Sequence, residues 1–229
     1  MAKKTAAPQR LVHSATVRAF QRRLISWYRK HGRDLPWRHT RDPYAILVSE
    51  VMLQQTQVQR AMLYYNKFLQ RYPTVEELAC ADEGEVRETW EGLGYYARAR
   101  NLQRTAQKIV TEYNGRFPQR PEKLTELPGI GQYTAGAVLS FAFRRDAAIL
   151  DTNAARVLTR FFAVPPEQQT TRFLWIIARQ VTPSGQAHLF NQAIMDLGAT
   201  ICVARMPRCP VCPLRRVCRS AQGIKDDQA

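Results

Sequence analysis

Two carboxylates and a group of thiols carry most of the chemistry this sequence could perform. Glu50 sits in "SEVMLQQTQV" (49–58), which reads as one helical run in which Val48, Val51, Met52 and Leu53 head for a core. An acid in apolar surroundings keeps its proton to higher pH, which suits a general acid. Asp151, in "AAILDTNAARVL", follows an apolar stretch and precedes a helical pattern, with Asn153 two residues on. Taken by itself, Asp151 reads as a helix N-cap. Cys202, Cys209, Cys212 and Cys218 form the pattern C-x6-C-x2-C-x5-C and account for four of the five cysteines. Without an export signal, such crowding points to metal ligands rather than disulfides. By ligand type, zinc and a [4Fe–4S] cluster both remain open. Arg205, Arg208, Arg215, Arg216 and Arg219 surround the thiols, whereas Cys80 reads as a free helical cysteine.

A third motif is "LPGIGQYTAGAVLS" (127–140). It reads as a helix end, a Pro-Gly-Ile-Gly turn and a new helix. Gly129 and Gly131 are expected to adopt the backbone conformations of a very tight turn. Thr134, Ala135, Gly136 and Ala137 would let two helices cross closely, and the exposed amides of the new helix would suit a phosphate. An ordinary αα-hairpin shares this pattern. Combined with the chain's charge, it points to a hairpin that grips DNA backbone without reading sequence.

The elements that must position these groups are helical. Apolar residues recur at intervals of three and four in "VRAFQRRLISWYRK", "YAILVSEVMLQQTQV", "RAMLYYNKFLQRY", "RNLQRTAQKIVTEY", "TRFLWIIARQV" and "LFNQAIMDLGATIC". Short connections carry turn residues, and Asp42-Pro43 is an N-cap followed by proline at the first helical position. Strand alternation is missing, so an all-α chain of about ten helices is expected, with frayed ends near 1–12 and 221–229. At 229 residues and 45% apolar content, one or two domains with a real core are expected. No apolar run is long enough for a membrane helix and "MAKKTAAPQR" lacks the core of a signal peptide, which predicts a cytoplasmic, nucleoid-associated protein. Lys and Arg outnumber Asp and Glu by 34 to 19, a net charge of +15, and nucleic acid is the natural partner of such an excess.

Hairpin, aspartate about twenty residues later and C-terminal cysteine group together resemble the helix-hairpin-helix base-excision DNA glycosylases. "SEVMLQQTQV", "GLGYYARARN", "LPGIGQYTAGAVLS", "ILDTN" and "FNQAIMDLGATIC" most resemble the MutY-type adenine DNA glycosylases, over nearly the whole span from "LPWR" at 35–38 to Cys218. The resemblance implies a two-lobed all-α fold. Residues 1–37 would pack, as an N-terminal basic arm and helix, with a cluster lobe over 147–229. A six-helix barrel would span 38–146, with the hairpin near 124–143. It makes Glu50 the general acid that protonates a departing adenine, and Asp151, with Asn153 nearby, the carboxylate that stabilises an oxocarbenium-like sugar. The base would be flipped out of double-stranded DNA. Gln55, Thr56, Leu93 and Tyr95 would wedge the duplex and contact the estranged purine, with Arg33, Trp37, Arg38, Gly129, Gly131, Gln132 and Gln192 completing the DNA-facing set. Tyr133 stands where endonuclease III-like lyases carry lysine, which implies a monofunctional enzyme. The cysteine spacing matches the family's [4Fe–4S] loop, over 202–218.

The resemblance also suggests a short form lacking the C-terminal domain that recognises 8-oxoguanine, acting as a monomer. Short relatives that remove thymine or uracil opposite guanine share this layout, and "WRHTRDPY" resembles them. "QQTQV", "GLGYYARARN" and Gln192 favour the adenine enzymes. An endonuclease III-like lyase would need lysine near 133. A non-catalytic DNA-binding module would explain charge, hairpin and cysteines, but not Glu50 and Asp151 together.

Overall fold

The computed structural model describes residues 13–222. The first twelve residues of the expected basic arm and helix (1–37), and 223–229 of the expected frayed tail, lie outside them. Among the described residues the chain is all-α with no strand, and no helix is long and apolar enough to cross a membrane.

The chain divides into two units, Met1–Gly32 with Leu150–Ala229, and Arg33–Ile149. Sequence placed the first boundary at 37/38, but Trp37 lies with the second unit because its buried ring packs edge-on against Tyr65, centroids 5.3 Å apart. The first unit opens with α1 (Ser14–His31), whose Val17, Phe20, Leu24 and Ile25 form one buried stripe.

The second unit contains α2 (Pro43–Leu53), α3 (Val58–Arg71), α4 (Val75–Cys80), α5 (Glu83–Thr89), α6 (Ala97–Tyr113), α7 (Pro121–Thr125) and α8 (Gln132–Phe141). Local chemistry sets several starts. Asp42 accepts a hydrogen bond from the Tyr44 amide at 3.0 Å, and Pro43 follows at the first helical position. Thr74 caps α4 through the Glu77 amide, and Asp82 caps α5 through Gly84 and Glu85. Helix α2 is the centre of this unit: Tyr44 through Met52 are all buried, and it packs against α3, α6 and α8. A helix buried all round has no apolar stripe. It also ends earlier than the apolar run suggested. Leu53 is its last residue, and Gln55 turns to φ +55°.

The first unit resumes after Leu150 with α9 (Thr152–Phe162), α10 (Thr171–Val181), α11 (Ala187–Thr200) and α12 (Arg219–Gln222). Its core is aromatic. Phe20 of α1 stacks on Phe161 at 4.3 Å and meets Phe162 and Phe190 edge-on. Such rings each contribute about 1.5–3 kcal/mol by burial, before any geometric preference between them. Gln21 donates to the Val181 carbonyl at 2.9 Å and ties α1 to the end of α10. Between α11 and α12 the chain carries two short 3-10 turns, Cys209–Val211 and Arg215–Val217.

Candidate active site and nucleic-acid interface

Glu50 lies near the end of α2 and is 4% exposed, the only buried acid of its unit. It stands on the most enclosed helix, between Ser49 and Val51, both buried. The same unit carries the hairpin. Helix α7 gives way to the turn 126–131, then α8. Gly129 holds φ +73°, and a Cβ there would come 2.9 Å from the Asn101 Cβ, so both its conformation and its space demand glycine. Gly131 differs from expectation. Its φ of −89° is open to any residue, and a Cβ would meet nothing within 4 Å. What Gly131 contributes is open space before exposed Gln132, at the start of α8. Tyr133 is half-buried one residue on. The small residues of α8 also serve another end than a helix crossing: a Cβ on Gly136 would strike the Ala148 carbonyl oxygen at 2.5 Å, so α8 runs against the extended segment 148–149.

Two loops meet beside the end of α2, carrying Gln55 and Thr56 on one and Leu93, Gly94 and Tyr95 on the other. Gln55 (φ +55°) and Tyr95 (φ +49°) are left-handed although neither is glycine, which costs about 1–2 kcal/mol per residue. Tyr95 is 63% exposed and Gln55 is exposed. Leu93, expected to wedge the duplex, is instead buried in the core, so Tyr95 is the protruding member of that loop. Trp37 is likewise core, against Tyr65, rather than a DNA-facing side chain. Arg38 is half-buried and donates to the Arg33 carbonyl at 2.7 Å, bracing the segment it belongs to.

Arg98, in the basic run "ARARN", organises these loops and was not singled out from sequence. Its buried guanidinium places Nη1, with two N–H donors, within hydrogen-bonding reach of the carbonyls of Val51 (3.0 Å), Met52 (2.9 Å) and Gln54, and of the Thr56 hydroxyl (3.2 Å). Nη2 donates to the carbonyls of Leu93 (3.0 Å) and Gly94 (3.1 Å). The group also lies over the rings of Trp90 and Tyr95, at 5.5 and 5.7 Å. The carbonyl end of α2 supplies the negative partial charge that a buried cation needs.

In the first unit Asp151 is the N-cap of α9. Its Oδ1 accepts from the Ala154 amide at 2.6 Å and its Oδ2 from the Asn153 side-chain amide at 2.9 Å. The expected capping role is thus observed, and hydrogen bonds fix both carboxylate oxygens in direction. Asn153 Oδ1 in turn accepts from Arg156 Nη2 at 2.8 Å, and Arg156 reaches the Gly198 carbonyl at 2.6 Å and the Cys202 carbonyl at 2.8 Å. Helices α9 and α11 approach closely here, since a Cβ on Gly198 would lie 2.7 Å from the Asn153 Cβ. A glycine inside an apolar helix is a sequence signal for close approach, and it was available at Gly198. Gln192, also on α11, is half-buried and accepts from the Tyr28 hydroxyl at 2.6 Å.

The four cysteines of the C-terminal loop line one cavity of about 330 Å³, together with Ile201, Pro207 and Arg160. None of the four is in a disulfide. Among the described residues no three His, Cys, Asp or Glu side chains converge tightly enough for a single metal ion. Burial pushes the Cys212 thiol up to about 11, with the neighbouring cysteines adding to the shift, and burial raises Cys218 as well. Arg160 braces the rim, donating to the Val203 and Ala204 carbonyls at 2.7 and 2.8 Å. Arg205, Arg208, Arg215, Arg216 and Arg219 are exposed around it.

Comparison with known proteins agrees with this architecture. The chain is 44% identical over 226 residues to an adenine DNA glycosylase of Homo sapiens, covering 93% of this chain and 41% of the human protein. This chain thus spans less than half of that relative. It is 42% identical over 209 residues to a thymine-DNA glycosylase of Aeropyrum pernix, covering 88% of this chain and 94% of the archaeal one. A solved structure of a thermostable thymine-DNA glycosylase superposes with a TM-score of 0.86 at 32% identity, covering 91% of this chain and 98% of that one. A family model described as HhH-GPD superfamily base excision DNA repair protein matches residues 48–180. With more than half of its residues inside that match, the chain belongs to the HhH-GPD superfamily of base excision DNA repair proteins.

Proposed function

We propose that this protein is a monofunctional DNA glycosylase that hydrolyses the N-glycosidic bond of a flipped adenine opposite guanine or 8-oxoguanine. The observation that carries the reading is Glu50, a carboxyl group buried on the central helix of its unit, where a structural role would favour an apolar residue. Glu50 donates a proton to the ring of the departing adenine and so turns a poor leaving group into a neutral one. Asp151 presents its carboxylate, held by Ala154 and Asn153, to the positive charge that grows on the sugar. Water then completes hydrolysis. Tyr133 offers no amine for a Schiff base, so strand cutting should require alkali.

Phosphate binding is assigned to the hairpin turn with Gly129, Gly131 and Gln132, and to the exposed arginines of the cysteine loop. Gln55, Thr56 and Tyr95 are assigned to the gap left by the flipped base and to its estranged partner. Cys202, Cys209, Cys212 and Cys218 would hold a [4Fe–4S] cluster, for which the cavity and the donor set fit. When bound, it would cross-link a loop with little apolar core, only Leu214 being buried within it.

The adenine reading rests on "QQTQV", "GLGYYARARN" and Gln192, and on adenine DNA glycosylases 44% identical over most of this chain. A second reading, thymine or uracil opposite guanine, is favoured by one observation: the thymine-DNA glycosylase of Aeropyrum pernix matches over 94% of its own length. Duplexes carrying A·8-oxoG, A·G, T·G or U·G, treated with alkali after the enzyme, decide between them. Release from A·G and A·8-oxoG is expected; release from T·G alone would replace adenine by thymine.

A further inference from the structure

We propose that Arg98 is the positioning residue that holds the two DNA-facing loops of this unit in their working conformation before DNA arrives. Both loops contain a left-handed residue that is not glycine, Gln55 and Tyr95, and in each case Arg98 binds the carbonyl just before it, that of Gln54 or Gly94. A peptide plane pinned at that point fixes the direction in which the next residue leaves. The exposed side chains of Gln55 and Tyr95 are therefore aimed by one guanidinium. The same group also covers the last carbonyls of α2, the helix that carries Glu50. Acceptors lie in two directions, toward residues 51–56 and toward 93–94, and only a planar fork with separated donors reaches both. A lysine ammonium at the same place satisfies one set and leaves the other. Binding is tighter when a loop is ordered in advance, because the ordering cost is removed from the binding step. The role in base flipping rests on the glycosylase reading above, whereas the holding of the loops does not.

Two measurements on the whole chain test this. In the first, amide deuterium exchange of the free protein is followed in Arg98→Met and Arg98→Lys. Exchange over 54–57 and 93–96 should rise tenfold or more in Arg98→Met and less in Arg98→Lys, with the hairpin turn 126–131 unchanged. Unchanged exchange in both loops would overturn the proposal. In the second, single-turnover adenine release is compared between an A·G duplex and a duplex whose target adenine lies in a one-base bulge, already outside the stack. A positioning residue for flipping predicts a loss at least tenfold greater on A·G than on the bulge. Equal losses on both would mean that Arg98 is merely structural. If Arg98→Met does not fold, Arg98→Lys carries both readouts. If the wild type releases adenine from neither duplex, the functional reading fails and the exchange measurement alone decides the role of Arg98.

Discussion

Gly198→Ala tests whether the crossing of α9 and α11 sets the position of Asp151. The added methyl would lie 2.7 Å from the Asn153 Cβ and 3.0 Å from its carbonyl oxygen. Carbon atoms in ordinary contact sit about 3.5–4.0 Å apart, so the helices must part there by roughly 0.8 Å or more. Two effects oppose each other. Alanine is favoured over glycine within a helix by about 0.5–1 kcal/mol, and overpacking against backbone costs about 1–3 kcal/mol. Overpacking wins, because the obstacle is main chain rather than the end of a flexible side chain. A net destabilisation of about 1–2 kcal/mol should lower the melting temperature by about 2–8 °C for a chain of this size. The displaced residue is Asn153, whose amide holds Asp151 Oδ2. Misplacement by about 1 Å can slow chemistry a hundredfold, so single-turnover base release should fall about tenfold or more. Thermal melting and base release under enzyme excess are the assays. A variant that melts higher than wild type and releases base at the same rate would refute the argument.

Glu50→Gln and Asp151→Asn should each cut the single-turnover rate by about a hundredfold or more while duplex affinity stays within a few-fold, measured by gel shift. Affinity of the wild type should fall steeply with salt if the proposed phosphate contacts carry it. Cys212→Ser should remove the visible thiolate-to-iron absorption and bound iron and weaken DNA binding, with the melting of residues 33–149 little changed; a colourless wild type holding one zinc would refute the cluster. Phe20→Ala should cost about 3–5 kcal/mol in urea unfolding because three rings, Phe161, Phe162 and Phe190, lose their common neighbour. A cost under about 1 kcal/mol would show that this core rearranges to fill the space.

How legible each part was depended on the kind of signal it left. Helix α10, Thr171–Val181, coincides with the periodic run "TRFLWIIARQV", because one face is buried and the other wet. Asp42-Pro43 announced the start of α2 through a cap that is purely local. The end of α2 was not legible: "VMLQQTQV" continues a helical rhythm, yet the carbonyls of Val51, Met52 and Gln54 turn to Arg98, more than forty residues away. Gly129 was read correctly for its turn and Gly131 was not, since a dihedral angle depends on the packing around the loop and not on residue type alone.

What residue type and spacing determine by themselves is chemistry that a short window contains. Four thiols within seventeen positions, an acid placed to cap a helix, a Pro-Gly-Ile-Gly turn and a net charge of +15 need no fold to be recognised. Tertiary structure decides what depends on distant neighbours. It buries Glu50 on the central helix of its unit and draws Leu93 and Trp37 into the core. It turns Arg98, one basic residue among many in the sequence, into the brace of two loops, and joins Asp151 through Asn153 and Arg156 to the backbone of Cys202. Burial and hydrogen bonding between residues forty or more positions apart come from packing, and no local pattern in the chain encodes them.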